Sequence, residues 1–200
     1  GFYPPSLNVS YTESQRFQDY GVIGRLVKEW EDAAKIPEHL NIQNYQLRFG
    51  VVLAKDSGFV KALYPSHRFG LGGPVGSGQQ WISWVHLEDL IRVMNMLLTR
   101  EHPIPSGPIN LTAPYPCRQF ALSKAFSEAI DAPKLPYGPL TTPAFVGRLM
   151  LGGDRATLLL EGQRVIPKKL LDSGFQFKYS RLEDALESLF KRRPSAVPID

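Results

Sequence analysis

The stretch Tyr45 to Leu53 is rich in β-forming residues and ends in Gly50-Val51-Val52-Leu53, with no polar residue to face water. The strand it predicts is therefore covered on both faces. The segment before it is helical. Ile23, Leu26, Val27, Trp30, Ala33 and Ala34 recur at helical spacing, Arg25, Lys28, Glu29 and Asp32 fill the other side, and Pro37 stops the run. A helix feeding a doubly covered strand is half of a crossover unit, so the chain is expected to be an α/β protein with parallel strands.

The same alternation continues. Residues 1–20 read as loop, and Phe59 to Leu71 is ambiguous, with a short helix as one reading. Trp81 to His86 and Pro108 to Thr112 read as short strands, while Leu87 to Leu98 and Arg118 to Ile130 read as helices. Prolines between Ala132 and Pro143 mark a linker. After it come short helices at 144–151, 155–161 and 168–173, an alternating strand from Phe175 to Tyr179 and a closing helix from Arg181 to Phe190. The domains expected are therefore 1–132, 133–190 and a disordered tail over 191–200.

Composition narrows the function classes. Of 200 residues, 43% are hydrophobic and 21% charged, which is globular and excludes disordered, collagen-like and coiled-coil chains. The net charge of +4 is mild, and no basic stripe alternates with aromatics, so nucleic acid is not an expected partner. No apolar run approaches the roughly 18 residues of a membrane span. The single cysteine, Cys117, excludes a disulfide framework and a cysteine-rich zinc site. The expected compartment is intracellular, cytoplasmic or mitochondrial. The chain opens on Gly1 without a signal peptide, so either something was removed or it is a piece of a longer protein.

Motifs with a chemical meaning are few. The cluster Gly70-Leu-Gly72-Gly73-Pro-Val-Gly76-Ser-Gly78 has a G-x-x-x-x-G spacing from Gly73. Gln79 and Gln80 then stand where a phosphate loop needs Lys and Ser or Thr. It is a permissive loop, structural or ligand-facing. His39, His67, His86 and His102 are too scattered to hold a metal, and no metal is expected. His86 precedes Glu88 and Asp89 at a helix start, which is either a charged helix entry or part of a site. Asn8-Val-Ser10 and Asn110-Leu-Thr112 match the glycosylation sequon, a pattern common by chance.

A resemblance goes further. Gly1-Phe2-Tyr3, Thr12-Glu13, Trp30-Glu31, Arg48-Phe49-Gly50-Val51-Val52-Leu53 and the block from Gly70 through Trp81, His86 and Asp89 follow one another at characteristic distances. Asn110-Leu-Thr-Ala113-Pro114, Glu161-Gly162-Gln163-Arg164-Val165-Ile166-Pro167 and Gly174-Phe175 complete the series. In this order they resemble the C-terminal portion of the epimerase family proteins, atypical extended members of the short-chain dehydrogenase/reductase superfamily.

The resemblance implies the C-terminal part of a Rossmann-like, doubly wound parallel sheet with a small α+β substrate domain. It also implies an NADP cofactor (NAD less so) and a small-molecule substrate. The pyrophosphate-binding half, about 100 residues, would lie upstream of Gly1. By resemblance, the backbone of Val52 touches the nicotinamide side of the cofactor and Tyr3 sits nearby. Gln80, Trp81 and His86 are candidates for the pocket wall, because a glycine loop followed by polar and aromatic groups suits a ligand mouth; the plainer reading is packing between domains.

The superfamily's Tyr-x-x-x-Lys pair is not found. Tyr20 is followed four residues later by Gly24, the positions counted back from Trp30-Glu31 fall near Ile23 and Val27, and Lys28 is one residue off, about 100° around a helix. Two other readings therefore stand beside an oxidoreductase or epimerase: a non-catalytic dinucleotide-sensing protein, and a truncated chain without function. Substrate and oligomeric state are left open.

Overall fold

The computed structural model describes residues 1–56, 58–100, 103–133 and 162–191. Its elements are β1 (Ser10–Tyr11), α1 (Val22–Ala33), β2 (Tyr45–Phe49), β3 (Val51–Leu53), α2 (Gly58–Arg68), β4 (Trp81–Ile82), β5 (Trp84–His86) and α3 (Leu87–Thr99). There follow β6 (Gly107–Leu111), β7 (Cys117–Arg118), α4 (Gln119–Ala129), β8 (Arg164–Val165), α5 (Lys168–Asp172) and α6 (Leu182–Phe190). The expected helices at 144–151 and 155–161, most of the proline-rich linker and the tail beyond Lys191 lie outside the described residues.

The run from Tyr45 to Leu53 is not one continuous strand. β2 pairs in parallel with β6, Arg48 opposite Asn110, whereas β3 pairs in parallel with β5, Val52 opposite Val85. The change of partner happens at Gly50, whose N–H still reaches Leu111 O at 3.0 Å while the next N–H, from Val51, donates to Ser83 O at 2.8 Å. A Cβ at position 50 would lie 2.7 Å from Ser83 O and 3.0 Å from Thr112 Cγ2, so only glycine lets three strands meet this closely. The segment Trp81 to His86 divides as well. Ser83 donates its hydroxyl to Gln163 O and accepts from Val165 N, and β4 on its far side turns away to pair antiparallel with β7.

The expectation of two covered faces holds best in β5, where all three residues are buried. Successive side chains point to opposite sides of a strand. Trp84 joins Leu53, Val60, Leu122, Phe126 and Leu186 in one core, under α2, α4 and α6. Val85 joins Val93, Ile109, Leu111 and Leu170 in the other, under α3 and α5. Helices thus cover both faces of a parallel strand pair, the doubly wound arrangement. A third cluster of Phe2, Tyr3, Tyr11 and Val165 closes the side where β1 pairs in parallel with β8. This short pairing falls where the sequence reads as loop; two residues are too few to show a period.

The alternation from Phe175 to Tyr179 predicts a strand that does not form. Asp89, in the first turn of α3 and fully buried, takes the N–H groups of both Lys178 and Tyr179 at 2.8 Å and the Arg92 guanidinium at 2.6 Å. A carboxylate thereby satisfies the backbone donors that a neighbouring strand would otherwise claim. Helix α1 departs from expectation in another way. Among its residues only Gly24 is buried, while Val22 and Trp30 are 73% and 65% exposed and Leu26 is exposed beside them. Among the described residues no helix is long and apolar enough to cross a membrane.

Two consequences can be measured. Gly50→Ala should lower stability by about 1–3 kcal/mol through overpacking against Ser83 and Thr112; an unchanged urea midpoint would contradict the strand-switch argument. Burial holds the His67 and His86 imidazoles below the ordinary value of 6.5, and both rings are hydrogen-bonded, His67 Nε2 to Ser123 Oγ at 2.9 Å and His86 Nδ1 to the Glu88 N–H at 3.1 Å. The unfolded chain takes up these protons first as pH falls. The stability they contribute is therefore complete above about pH 6.5 and is lost below it. Melting temperatures across that range should fall on acidification, and fall less in His67→Gln.

Candidate functional site

A cleft of about 620 Å³ opens between α1, the segment Tyr45 to Val51, the first three residues and the Gly162–Val165 turn. That volume lies in the small-molecule range of about 300–1,000 Å³. One wall is Val27 and Trp30 of α1 with Ala34, the residue that ends the helix; the other includes Phe49, Gly50 and Val51; Trp81, Ser83, Thr112 and Gln163 close one end. Trp30 and the 53% exposed Phe49 stand at the mouth.

The floor is a polar network built by strand register. Because Arg48 of β2 lies directly opposite Asn110 of β6, both side chains reach the same hydroxyl, that of Tyr3. Tyr3 Oη donates to Asn110 Oδ1 at 2.7 Å and accepts from Arg48 Nη1 at 2.8 Å, with Thr12 O at 3.2 Å. The other edge of the Arg48 guanidinium forms a two-pronged pair with Glu31 of α1, both contacts at 2.7 Å, and its plane lies 3.4 Å over the Phe2 ring. Asn110 in turn gives its amide to Ile166 O and its backbone N–H to the buried Glu13 carboxylate. Burial pushes the Tyr3 phenol above its usual range although Arg48 opposes the shift, so at neutral pH the hydroxyl carries its proton. For Arg48, burial works against the charge, but Glu31 and Tyr3 outweigh it and the guanidinium is held more firmly charged than usual.

The sequence candidates occupy different places. Tyr3 is 2% exposed and lines the cleft, and Trp81 closes its end. Val52 is half-buried against the α3 side of the sheet, and its neighbour Val51 faces the cleft instead. Gln80 is buried outside the lining, its amide on Val75 O and its carbonyl accepting from Gln119 N. His86 is the N-cap of α3, with Nδ1 on Glu88 N, Nε2 against Ser188 Oγ at 3.2 Å and its ring 4.0 Å from that of Tyr179. Cys117, pushed up to about 12 by burial, is no nucleophile at neutral pH. Among the described residues no three His, Cys, Asp or Glu side chains cluster as a metal site would require.

Sequence reasoning singled out neither Glu31, Arg48, Asn110 nor Glu13 as site residues, although all four lie inside the motifs quoted above. For Arg48 and Asn110 the available signal was a charged or amide residue inside a short strand; Glu31 sits on a helix and Glu13 in a turn, where charged residues are ordinary. The sequon at Asn110 is fully buried and its amide committed, so it is no glycan acceptor.

Tyr3→Phe should cost about 1–3 kcal/mol, because it leaves Asn110 Oδ1 and Arg48 Nη1 without a partner. The folded chain also keeps the Tyr3 proton at alkaline pH longer than the unfolded chain does, so stability falls above about pH 10. Equilibrium unfolding of the variant should show a shallower alkaline decline; identical curves would rule out this role for the hydroxyl.

Comparison with known proteins places this geometry. Residues 142–189 match a family described as a domain of unknown function, DUF1731. The chain is 38% identical over 191 residues to an epimerase family protein of Staphylococcus aureus (strain NCTC 8325), covering 96% of this chain and 61% of that one. An epimerase family protein of Staphylococcus epidermidis is 37% identical over 96% of this chain and 62% of its own length. Among solved structures, the human epimerase family protein SDR39U1 (isoform 2), crystallised with NADPH, matches with a TM-score of 0.85 and 32% identity. That match covers 94% of this chain and 61% of the human one. A nucleoside-diphosphate sugar epimerase of Corynebacterium glutamicum, at 22% identity and a TM-score of 0.71 over 94% of this chain and 35% of its own, shares the fold. The parallel strands with helices on both faces are those of the Rossmann-like epimerases, and the chain, spanning about three fifths of the length of its curated relatives, is similar over nearly its whole length to the epimerase family proteins.

Proposed function

We propose that this chain forms the nicotinamide edge and the substrate-facing cap of an NADP(H)-binding, epimerase-like oxidoreductase acting on a small molecule. The carrying observation is the joint one of a cleft lined by β2 and the start of β3 and a relative of 32% identity crystallised with NADPH. The residues present suit one end of a dinucleotide: Val27 and Val51 supply apolar contact, and Ser83, Thr112 and Gln163 supply polar groups. The glycine cluster from Gly70 to Gly78 leads into β4 and not onto a helix N-terminus, so it makes no phosphate grip of the helix-opening kind. When bound, the cofactor would supply hydride transfer. On this reading Tyr3 and Val52 serve the cofactor side, Tyr3 from the cleft floor and Val52 through the backbone of the strand carrying Val51. Trp81 serves the substrate side, and Gln80 and His86 hold the wall behind it.

The exposed stripe of Val22, Leu26 and Trp30 and the outer side of β2 are, on the same reading, the surface against which the remaining two fifths of the relatives' length packs. The unit boundaries near 132 and 190, with the C-terminal unit as substrate cap, belong to this proposal, as does an intracellular, cytoplasmic location. The bacterial relatives give the mitochondrial alternative no support.

A second reading, a protein that binds the dinucleotide without exchanging hydride, is favoured by the commitments of the floor. Tyr3 keeps its proton, and Arg48 is taken up by Glu31 and Tyr3. A chain extended to the relatives' full length should bind NADPH in the micromolar range and more tightly than NADH; absence of binding sinks both readings. Transfer of label from nicotinamide-labelled NADPH into a metabolite extract separates them, since the sensing protein transfers none.

A further inference from the structure

At the end of the cleft the Trp81 indole carries two cations. The guanidinium carbon of Arg118 lies 3.8 Å from the centre of its ring and that of Arg164 lies 4.7 Å from it, so the two are at most 8.5 Å apart, the distances taken end to end. An aromatic face attracts a cation, but a second cation this close is repelled by the first unless something neutralises the pair. Among the described residues no carboxylate lies within ion-pair distance of either guanidinium. Arg118 gives one terminal nitrogen to Gln79 O and the other to Leu7 O at 3.2 Å. Arg164 donates to no described residue, and its Nε is closed off from solvent without a partner. A buried donor left unpaired is costly, and such an atom calls for an explanation.

The surroundings are rigid. Trp81 Nε1 donates to Leu7 O at 2.9 Å and Ser6 N to Gly162 O at 3.1 Å. Gly162 fits so closely on Trp81 that a Cβ there would lie 2.2 Å from Trp81 O, and Arg164, two residues on, is fixed by the pairing of β8 with β1. Four separate segments thus hold two positive charges, neither ion-paired among the described residues, against a ring whose residue lines the cleft although the arginines themselves do not.

We infer that Trp81, Arg118 and Arg164 form an anion subsite that takes a phosphoryl group of the substrate. Two guanidinium groups present planar forks of N–H donors that match an oxyanion, and a phosphoryl dianion neutralises both charges where a carboxylate neutralises one. The terminal nitrogens of Arg164, which donate to no described residue, are among those donors; its Nε, closed off from solvent, is not. The inference deepens the functional reading by naming the substrate as a phosphorylated small molecule. It rests on that reading only for the word substrate, since the anion can be measured without any cofactor.

The test is calorimetric titration of the 200-residue chain with inorganic phosphate, pyrophosphate and acetate at neutral pH and low salt. Phosphate and pyrophosphate should bind saturably and acetate at least about tenfold more weakly; binding should weaken as salt is raised. Arg118→Gln and Arg164→Gln should each weaken phosphate binding by about tenfold, the scale of a hydrogen bond to a charged group. Arg164→Lys, which keeps the charge without the fork, should recover part of it. Arg181→Gln, exposed and facing Glu183, should change nothing. Should Arg118→Gln melt without a cooperative transition, Arg164→Gln decides alone, because Arg164 donates no hydrogen bond to a described residue whose loss would unfold the chain. No saturable phosphate binding, equal affinity for acetate, or binding indifferent to Arg164 overturns the assignment. Phosphate binding in a chain that proves unable to bind NADPH overturns the cofactor reading and leaves this one standing.

Discussion

A guanidinium withdrawn from water must recover its hydrogen bonds inside the protein, and Arg48 recovers them from three parts of the chain at once. Glu31 comes from α1, Tyr3 from the opening loop, and the Phe2 ring covers the guanidinium plane. Breaking such a buried pair by removing one partner is far more damaging than replacing both, because the survivor is left charged and dry. The placement of α1 against β2, of the first three residues across the strand ends, and of Asn110 beneath Tyr3 all follow from meeting that one requirement. The cleft exists because these groups hold its floor and walls at a fixed separation.

What could be read from the sequence follows from the length of each pattern. Helices α1, α3, α4 and α6 and the strands around Leu47, Val85 and Ile109 repeat their periods often enough to be read, and they fall within a few residues of expectation. The pairing of Ser10–Tyr11 with Arg164–Val165 joins two dipeptides more than 150 residues apart, and no local period records it. The alternation of Phe175 to Tyr179 is real, yet Asp89 takes its donors, so an interaction 90 residues away decides the local structure. In the site, Tyr3 was reached through the family resemblance and Trp81 because a glycine loop followed by aromatic groups suits a ligand mouth; both line the cleft. Arg48 and Asn110 were not reached, because a polar residue on a strand looks like a solvent-facing one until the neighbouring strand and loop are in place.

Similarity to the epimerase family proteins runs through the whole order of these motifs, and the structure gives each of them physical work. Trp30-Glu31 and Arg48 are the two sides of one ion pair; Thr12-Glu13 and Asn110 are bonded to each other and to Tyr3; Gln163 and Val165 hold Ser83 where the strands change partner. Residues that lie far apart along the chain and carry no reactive chemistry can therefore be tied together by mechanics alone. The group left over after that accounting is the Arg164 side chain, which donates to no described residue.

Helix α1 carries a further implication. Its grip on the rest of the chain is narrow, consisting chiefly of the Glu31–Arg48 pair and Val27 against the aromatic cluster, while Val22, Leu26 and Trp30 remain in water. An element with so little covered area separates from its neighbours with a smaller free energy than the global transition, and its backbone amides exchange with solvent through that partial opening. The cleft shares a wall with this helix, so its shape is set on the timescale of that opening, and any surface that settles on the bare stripe fixes the helix and the cleft together.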